Sequence, residues 1–241
     1  MNADLIIFDK DGTLIDFDAF WVTISEHAIA DILGQLGRTD IPMTEILKTL
    51  GVYDGVTDVQ SVLCQGTYAQ MSAEIHRALT ENGVSIDPSV LTPLVTQAYG
   101  KHADTGVVKP TGEGLAKTLA ALKAQGKRLA VVTTDNEPMT RKCLKALGVE
   151  PLFDRIFTDD GKTPTKPDPF CAQALSLEFD VPTDRILMVG DTMTDVAFAK
   201  NAGIRMVGIA KSERNRAVLA PHVCAVINDP SELPSLLEAD E

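Results

Sequence analysis

The pattern of apolar positions changes character twice along the chain. Leu5-Ile6-Ile7-Phe8 is an unbroken apolar run that stops at Asp9, which predicts a short buried strand followed by a turn over residues 9–13. A helical period then takes over. Between Asp18 and Gly37 the residues Trp21, Ile24, Ala28 and Ile32 share one face, with Asp18 placed to cap the helix. Thr44 to Leu50 predicts a second helix closed by Gly51. Val62, Tyr68, Met71, Ile75 and Leu79 form a stripe over Asp58 to Thr80 that Asn82-Gly83 stops, with Gly66 interrupting it. Ser89 to Lys101 predicts a fourth helix, so the stretch from 17 to 104 reads as wholly helical.

Beyond that stretch strand and helix patterns alternate. A helix with Leu115, Leu119 and Leu122 on one face runs to Gly126, and Arg128 to Thr133 is a β-branched strand. Helices are predicted over Pro138 to Leu147, Pro169 to Phe179 and Thr194 to Ala202, and strands over Arg155 to Thr158, Ile186 to Val189, Met206 to Ile209 and Val223 to Ile227. Such alternation implies right-handed crossovers and an α/β fold with a doubly wound, Rossmann-like parallel sheet. The expected division is a catalytic core from residues 1–16 and 105–241, carrying an all-helical insert over 17–104.

Bulk properties narrow the possibilities. A chain of 241 residues suits one large domain or a domain with an insert. With 34 acidic against 22 basic residues, a net charge of -12 and no basic cluster, nucleic acid is disfavoured as a partner. The four-residue apolar run before Asp9 is too short for a signal-peptide core and no long apolar stretch follows, which predicts a cytoplasmic protein without membrane contact. Cys64, Cys143, Cys171 and Cys224 lack metal-site spacing and are expected to be buried, reduced thiols.

In a doubly wound sheet, ligands sit beyond the carboxyl ends of the strands. Those ends carry Asp9 and Asp11, Thr133-Thr134-Asp135-Asn136, and Gly190-Asp191-Thr192-Met193-Thr194-Asp195, with Lys166 in a proline-rich loop between the last two. Side chains two apart on an extended segment point the same way, so Asp9 and Asp11 emerge together, one able to attack while the other moves a proton. Paired carboxylates need either a raised pKa or a cation, and Mg2+ is the usual counter-charge where phosphoryl groups are handled. Asp9 and Asp191 supply oxygen ligands. Thr133, with Thr134 after it, offers a hydroxyl and backbone amides to phosphate oxygens. Lys166 offers positive charge, and Asp195 can orient the metal's surroundings or the lysine.

Together Asp9-Lys10-Asp11-Gly12-Thr13-Leu14, Thr133, Lys166-Pro167-Asp168-Pro169 and Gly190-Asp191 with Asp195 resemble the four ordered motifs of the haloacid dehalogenase superfamily, most of all its phosphoglycolate phosphatase-like branch. The resemblance implies a Mg2+-dependent phosphatase acting on a small phosphorylated metabolite through an aspartyl-phosphate. In that scheme Asp9 is the nucleophile, Asp11 the general acid and base, and Thr133 and Lys166 the groups that hold phosphate and its charge. The metal would sit on Asp9, Asp191 and the Asp11 carbonyl, with Asp195 contributing indirectly, and the insert would be a mobile cap. A monomer or homodimer is expected. Lys10 stands where many relatives carry an apolar residue, and Thr134 where asparagine is frequent.

Two other readings remain open on sequence: a phosphomutase of the same fold, and a signalling module whose aspartate loses phosphate slowly. A dehalogenase would not need Asp11. The insert holds Trp21, all three tyrosines (Tyr53, Tyr68, Tyr99) and the histidines His27, His76 and His102. Its only fixed cations are Arg38, Lys48, Arg77 and Lys101, and where the leaving group is anionic one of these is expected to face the cleft.

Overall fold

The strand β1 (Leu5–Phe8) is apolar at every position because both of its edges and both of its faces are covered. The computed structural model describes residues 1–238, which divide into two compact units: residues 1–16 with the chain from Val108 on, and Phe17–Val107.

The inserted unit begins with a π-helical turn, Asp18–Val22, that runs into α1 (Thr23–Gln35). After α2 (Met43–Thr49) come two very short strands, β2 (Val52–Tyr53) and β3 (Val56–Thr57), paired antiparallel. Asp54 and Gly55 between them both have positive φ, the conformation that lets a two-residue turn follow the twist of its strands. The pattern expected as one helix from 58 to 80 is two, α3 (Val62–Gln65) and α4 (Tyr68–Glu81). The break falls at Gly66, whose backbone is extended, and Thr67 restarts the helix in a reciprocal capping box with Gln70. α5 (Pro88–His102) completes the unit and packs against α1 and α4. Ile24, Ala28 and Ile32 are buried as their spacing predicts, and the buried Tyr99 hydroxyl donates to Ser25 Oγ at 3.0 Å. Asp18 does not cap its helix. Its Oδ1 instead accepts from the Thr57 amide at 3.0 Å and the Thr57 hydroxyl at 2.6 Å, which ties the first turn to the hairpin.

In the core unit α6 (Leu115–Ala124) leads to β4 (Arg128–Asn136), α7 (Glu137–Ala146), β5 (Arg155–Asp159) and α8 (Phe170–Phe179). Then follow β6 (Ile186–Gly190), α9 (Met193–Ala202), β7 (Arg205–Ile209), α10 (Glu213–Leu219), β8 (Ala225–Ile227) and α11 (Leu233–Glu238). The six strands pair in the order β5-β4-β1-β6-β7-β8, every pair parallel. β4 runs past Thr133 to Asn136, and the last strand is shorter than its apolar pattern suggested. Leu5 and Ile7 face a cluster built with Cys171 and Leu175 of α8 and Phe198 of α9. Ile6 and Phe8 turn to the opposite face, where the Phe8 ring meets Phe153 edge-on at 6.1 Å.

Among the described residues no helix is long and apolar enough to cross a membrane. The four cysteines are free thiols, but only Cys143 and Cys171 are buried; Cys64 is half-buried and Cys224 exposed. Ile7 is fully enclosed at the centre of the sheet, so Ile7→Ala should lower stability by about 2–5 kcal/mol through lost burial and the cavity left behind. Urea unfolding followed by circular dichroism measures this, and a loss well under about 1 kcal/mol would contradict it.

Candidate active site

Adjacent parallel strands in register bring distant residues level. Phe8 of β1 pairs with Val131 of β4 on one side and Val189 of β6 on the other, so Asp9, Thr133 and Asp191 leave neighbouring strands within two residues of the same height. The Asp9 amide donates to Val189 O at 2.9 Å, which carries the pairing one residue into the turn. Asp9, Asp191 and Asp195 are all buried, and carboxylate oxygens from the three lie within 4.8 Å of one another.

Two glycines make this approach feasible. Gly12 has φ +78°, and a Cβ there would collide with the Asp191 carboxylate. A Cβ on Gly190 would come within 2.6 Å of the Asp195 carboxyl carbon. Thr13 donates to Asp191 Oδ1 at 3.2 Å.

Lys166 enters from the loop before α8, and its side chain is almost wholly buried. Nζ donates to Asp9 Oδ1 at 2.5 Å and to Asp195 Oδ1 at 2.6 Å. Asp195 is itself fixed, because its Oδ2 accepts from the Thr192 amide at 3.0 Å and hydroxyl at 2.7 Å in the capping box that opens α9. Both of its oxygens are therefore engaged, one with Lys166 and the other with Thr192.

Three carboxylates against one ammonium leave the cluster short of positive charge. Burial pushes the Asp9 carboxyl up to about 7; Lys166 opposes the rise, and the neighbouring Asp195 and Asp11 add to it. Burial likewise holds Asp191 well above the ordinary carboxylate range, with Asp9 and Asp195 reinforcing it. Desolvation disfavours the Lys166 ammonium, yet Asp195 and Asp9 more than offset this and keep it charged. An all-oxygen donor set of negative sign suits a hard divalent cation, so these carboxylates fit Mg2+.

Thr133 is buried, and its Oγ1 accepts from the Asp135 amide at 3.1 Å, while Thr134 beside it is exposed. The Asp11 carboxylate stands outside the three-carboxylate cluster. It is held by a residue with no role read from the sequence: Lys10, fully buried, donates to Asp11 Oδ1 at 2.7 Å and lies 3.0 Å from Asp135 Oδ2. The one signal for Lys10 was its charge inside an otherwise apolar-to-acidic run. Asp135 stood out only as a member of the strand-end run Thr133-Thr134-Asp135-Asn136, with no role of its own.

Within the inserted unit, each candidate cation already faces a carboxylate of the same unit. Arg38 pairs with Asp40, Lys48 with Glu45, Arg77 with Glu74 and Glu81, and Lys101 with Asp31. Trp21 packs edge-on against Phe20 at 5.6 Å and Tyr99 is buried, whereas Tyr53 and Tyr68 are exposed.

Known proteins are similar to the chain over most of their length. A pyrophosphatase PpaX from Halalkalibacterium halodurans is 27% identical, with 87% of this chain and 86% of that protein covered. A phosphoglycolate phosphatase from Pseudomonas syringae pv. tomato is also 27% identical, covering 98% of this chain and 80% of the relative. The crystal structure of a protein described as a predicted phosphoglycolate phosphatase from Haemophilus somnus 129PT superposes with a TM-score of 0.72 at 21% identity over 99% of each chain, a likeness of fold. Residues 3–203 match the family model of haloacid dehalogenase-like hydrolases, and with the strand-end carboxylates in place the chain belongs to that family.

Proposed function

We propose that this hydrolase is a Mg2+-dependent phosphatase that cleaves a small phosphorylated metabolite through a phosphorylated Asp9. The observation that carries the reading is the buried Asp9 carboxylate, locked to Lys166 beside Asp191, with a second acid two residues along the chain. The names of the relatives support a phosphoryl-bearing substrate.

Asp9 attacks phosphorus, and the bond from phosphorus to the leaving oxygen breaks as the new one forms. Asp11 gives its proton to that leaving oxygen. The same carboxylate then takes a proton from water, whose oxygen attacks the phosphorus and frees Asp9 with release of inorganic phosphate. Lys166 holds Asp9 in one orientation and offsets charge on the transferred group, and Thr133 offers its hydroxyl to a phosphoryl oxygen. Asp195 keeps the lysine in place. Asp9 and Asp191, with the Asp11 carbonyl, are the groups assigned to Mg2+, which when bound neutralises the converging carboxylates and the phosphoryl oxygens. Every one of these groups addresses the phosphoryl end, so we assign the choice of the rest of the substrate to the inserted unit.

The deciding experiment is a screen of phosphorylated metabolites with Mg2+ present, reading inorganic phosphate. Release without a sugar bisphosphate separates hydrolysis from phosphomutase chemistry, and turnover of about 1 to 1000 per second separates an enzyme from a slow signalling module. Asp9→Asn should abolish turnover while the fold stays intact. Full turnover in that variant would sink the assignment.

General acid–base help is commonly worth about 100- to 10,000-fold. Asp11→Asn should therefore lose far more rate on an alkyl phosphate than on p-nitrophenyl phosphate, whose leaving group needs no proton. Equal losses on both esters would leave Asp11 without a proton-transfer role.

The raised Asp9 and Asp191 carboxyls give a signed pH dependence. Between the ordinary 3.8 and about 7, the folded metal-free protein holds protons at Asp9 that the unfolded chain has lost, so this group's contribution to stability falls as pH rises. Mg2+ binds the ionised site and reverses that loss. The rise in Tm on adding Mg2+ should thus be larger at about pH 8 than at about pH 5, and smaller throughout in Asp9→Asn. Equal Mg2+ shifts at both pH values would speak against metal binding at these carboxylates.

A further inference from the structure

Two buried ammonium groups each pair with two carboxylates near the strand ends. Lys166 serves Asp9 and Asp195, and Lys10 serves Asp11 and Asp135. Full burial of a lysine is rare, because taking the ammonium out of water is costly unless it is paired. Burial indeed works against the Lys10 ammonium, and Asp11 and Asp135 together overcome it.

The dependence runs one way. The side chains of Asp11 and Asp135 keep 19% and 16% of their surface exposed, so neither carboxylate requires a buried partner. An apolar residue at position 10 would fill the same space without the desolvation, which leaves stability a poor reason for a lysine there. Asp135 Oδ2 has no hydrogen bond among the described residues although it lies 3.0 Å from Lys10 Nζ, so that contact is a charge pair rather than a directed bond. The Lys10–Asp11 contact, at 2.7 Å, is a directed hydrogen bond.

Resting on the phosphatase reading above, we infer that Lys10 is a positioning residue for the general acid: it anchors Asp11 Oδ1 to the end of β4 through Asp135 and so presents Asp11 Oδ2 for proton transfer. Asp135 is in turn fixed, its Oδ1 accepting from the Asn136 amide at 2.8 Å, where Asn136 caps α7. A carboxylate that must first protonate the leaving oxygen and later deprotonate water has to hold one place through both steps. An unanchored aspartate would spend much of its time in other rotamers. Oδ2 gives its proton to the leaving oxygen as the ester bond to phosphorus breaks, then accepts a proton from the attacking water, so each turnover returns it to its starting state.

The test uses an alkyl phosphate and p-nitrophenyl phosphate with the full-length protein and Mg2+. Lys10→Met should lower kcat on the alkyl ester about 10- to 100-fold but on the aryl ester less than about 3-fold, with KM within about 2-fold on both, because misplacement forfeits only the acid's share of the rate. Lys10→Arg, which keeps the charge and the donors, should recover most of the loss. In an Asp11→Asn background, adding Lys10→Met should change kcat less than about 2-fold, since the two act along one path. Equal loss on both esters, or an undiminished loss in the Asp11→Asn background, overturns the assignment and reduces Lys10 to a structural ion pair. If Lys10→Met does not fold, Asp135→Asn weakens the same anchor from its half-buried end; a raised ratio of aryl to alkyl turnover supports the inference and an unchanged ratio overturns it. A wild-type protein that hydrolyses neither ester defeats the phosphatase reading and this inference with it, whereas failure at Lys10 alone leaves that reading standing.

Discussion

The confinement of three carboxylates and one ammonium at the ends of two central strands is the constraint on which the rest of the site depends. Like charges at such spacing are tolerated where a retained proton, a hydrogen-bonding partner or a cation offsets them. Asp195 shows how this is arranged: one oxygen holds Lys166, the other closes a helix cap, and the helix start thereby becomes part of the ionic lattice. The glycines at 12 and 190 belong to the same constraint, since side chains there would occupy space the carboxylates use. What is left is an excess of negative charge that suits a hard divalent cation.

The core of this arrangement was legible in the sequence because its determinants are local. A buried strand needs an apolar run, the strand end needs a turn, and chemistry gathers at strand ends, so Asp9, Thr133 and Asp191 stood out before any pairing was known. Contacts that depend on where distant segments land were not legible. Asp18 looked like a helix cap because aspartate before an apolar helical pattern usually is one, but the hairpin offered it two donors on Thr57 and it took those. The hairpin itself hid between helices, its strands being two residues each, too short for a period to register. Its one signal was Asp54-Gly55, a pair suited to two successive residues with positive φ.

The lysine at position 10 escaped a role for a different reason. Sequence indicates which way a strand residue sets out, not where a long flexible side chain ends. Lys10 begins opposite its two acidic neighbours and still brings its ammonium back to Asp11. The inserted unit teaches the converse lesson. Its few cations were candidates to meet an anionic leaving group, and each of the four sits against a carboxylate of its own unit. These pairs are largely solvent-exposed and individually weak, so they constrain little, and a net count of charges did not reveal that each cation has a local partner.

The place of β1 has a consequence for how the chain is made. It is the first strand in sequence but the third in the sheet, and both of its neighbours, at 128–131 and 186–189, lie far downstream. On a ribosome the helical insert, whose contacts are mostly among its own residues, can form while Leu5-Ile6-Ile7-Phe8 has no strand to join. That apolar tetrapeptide has no partner until β4 is made and only one until β6 follows, so the ends that hold Asp9 and Asp191 come together late in synthesis. The pairing that sets Asp9 beside Asp191 is therefore among the later events of the chain's synthesis, after the helical insert and β4 have been made.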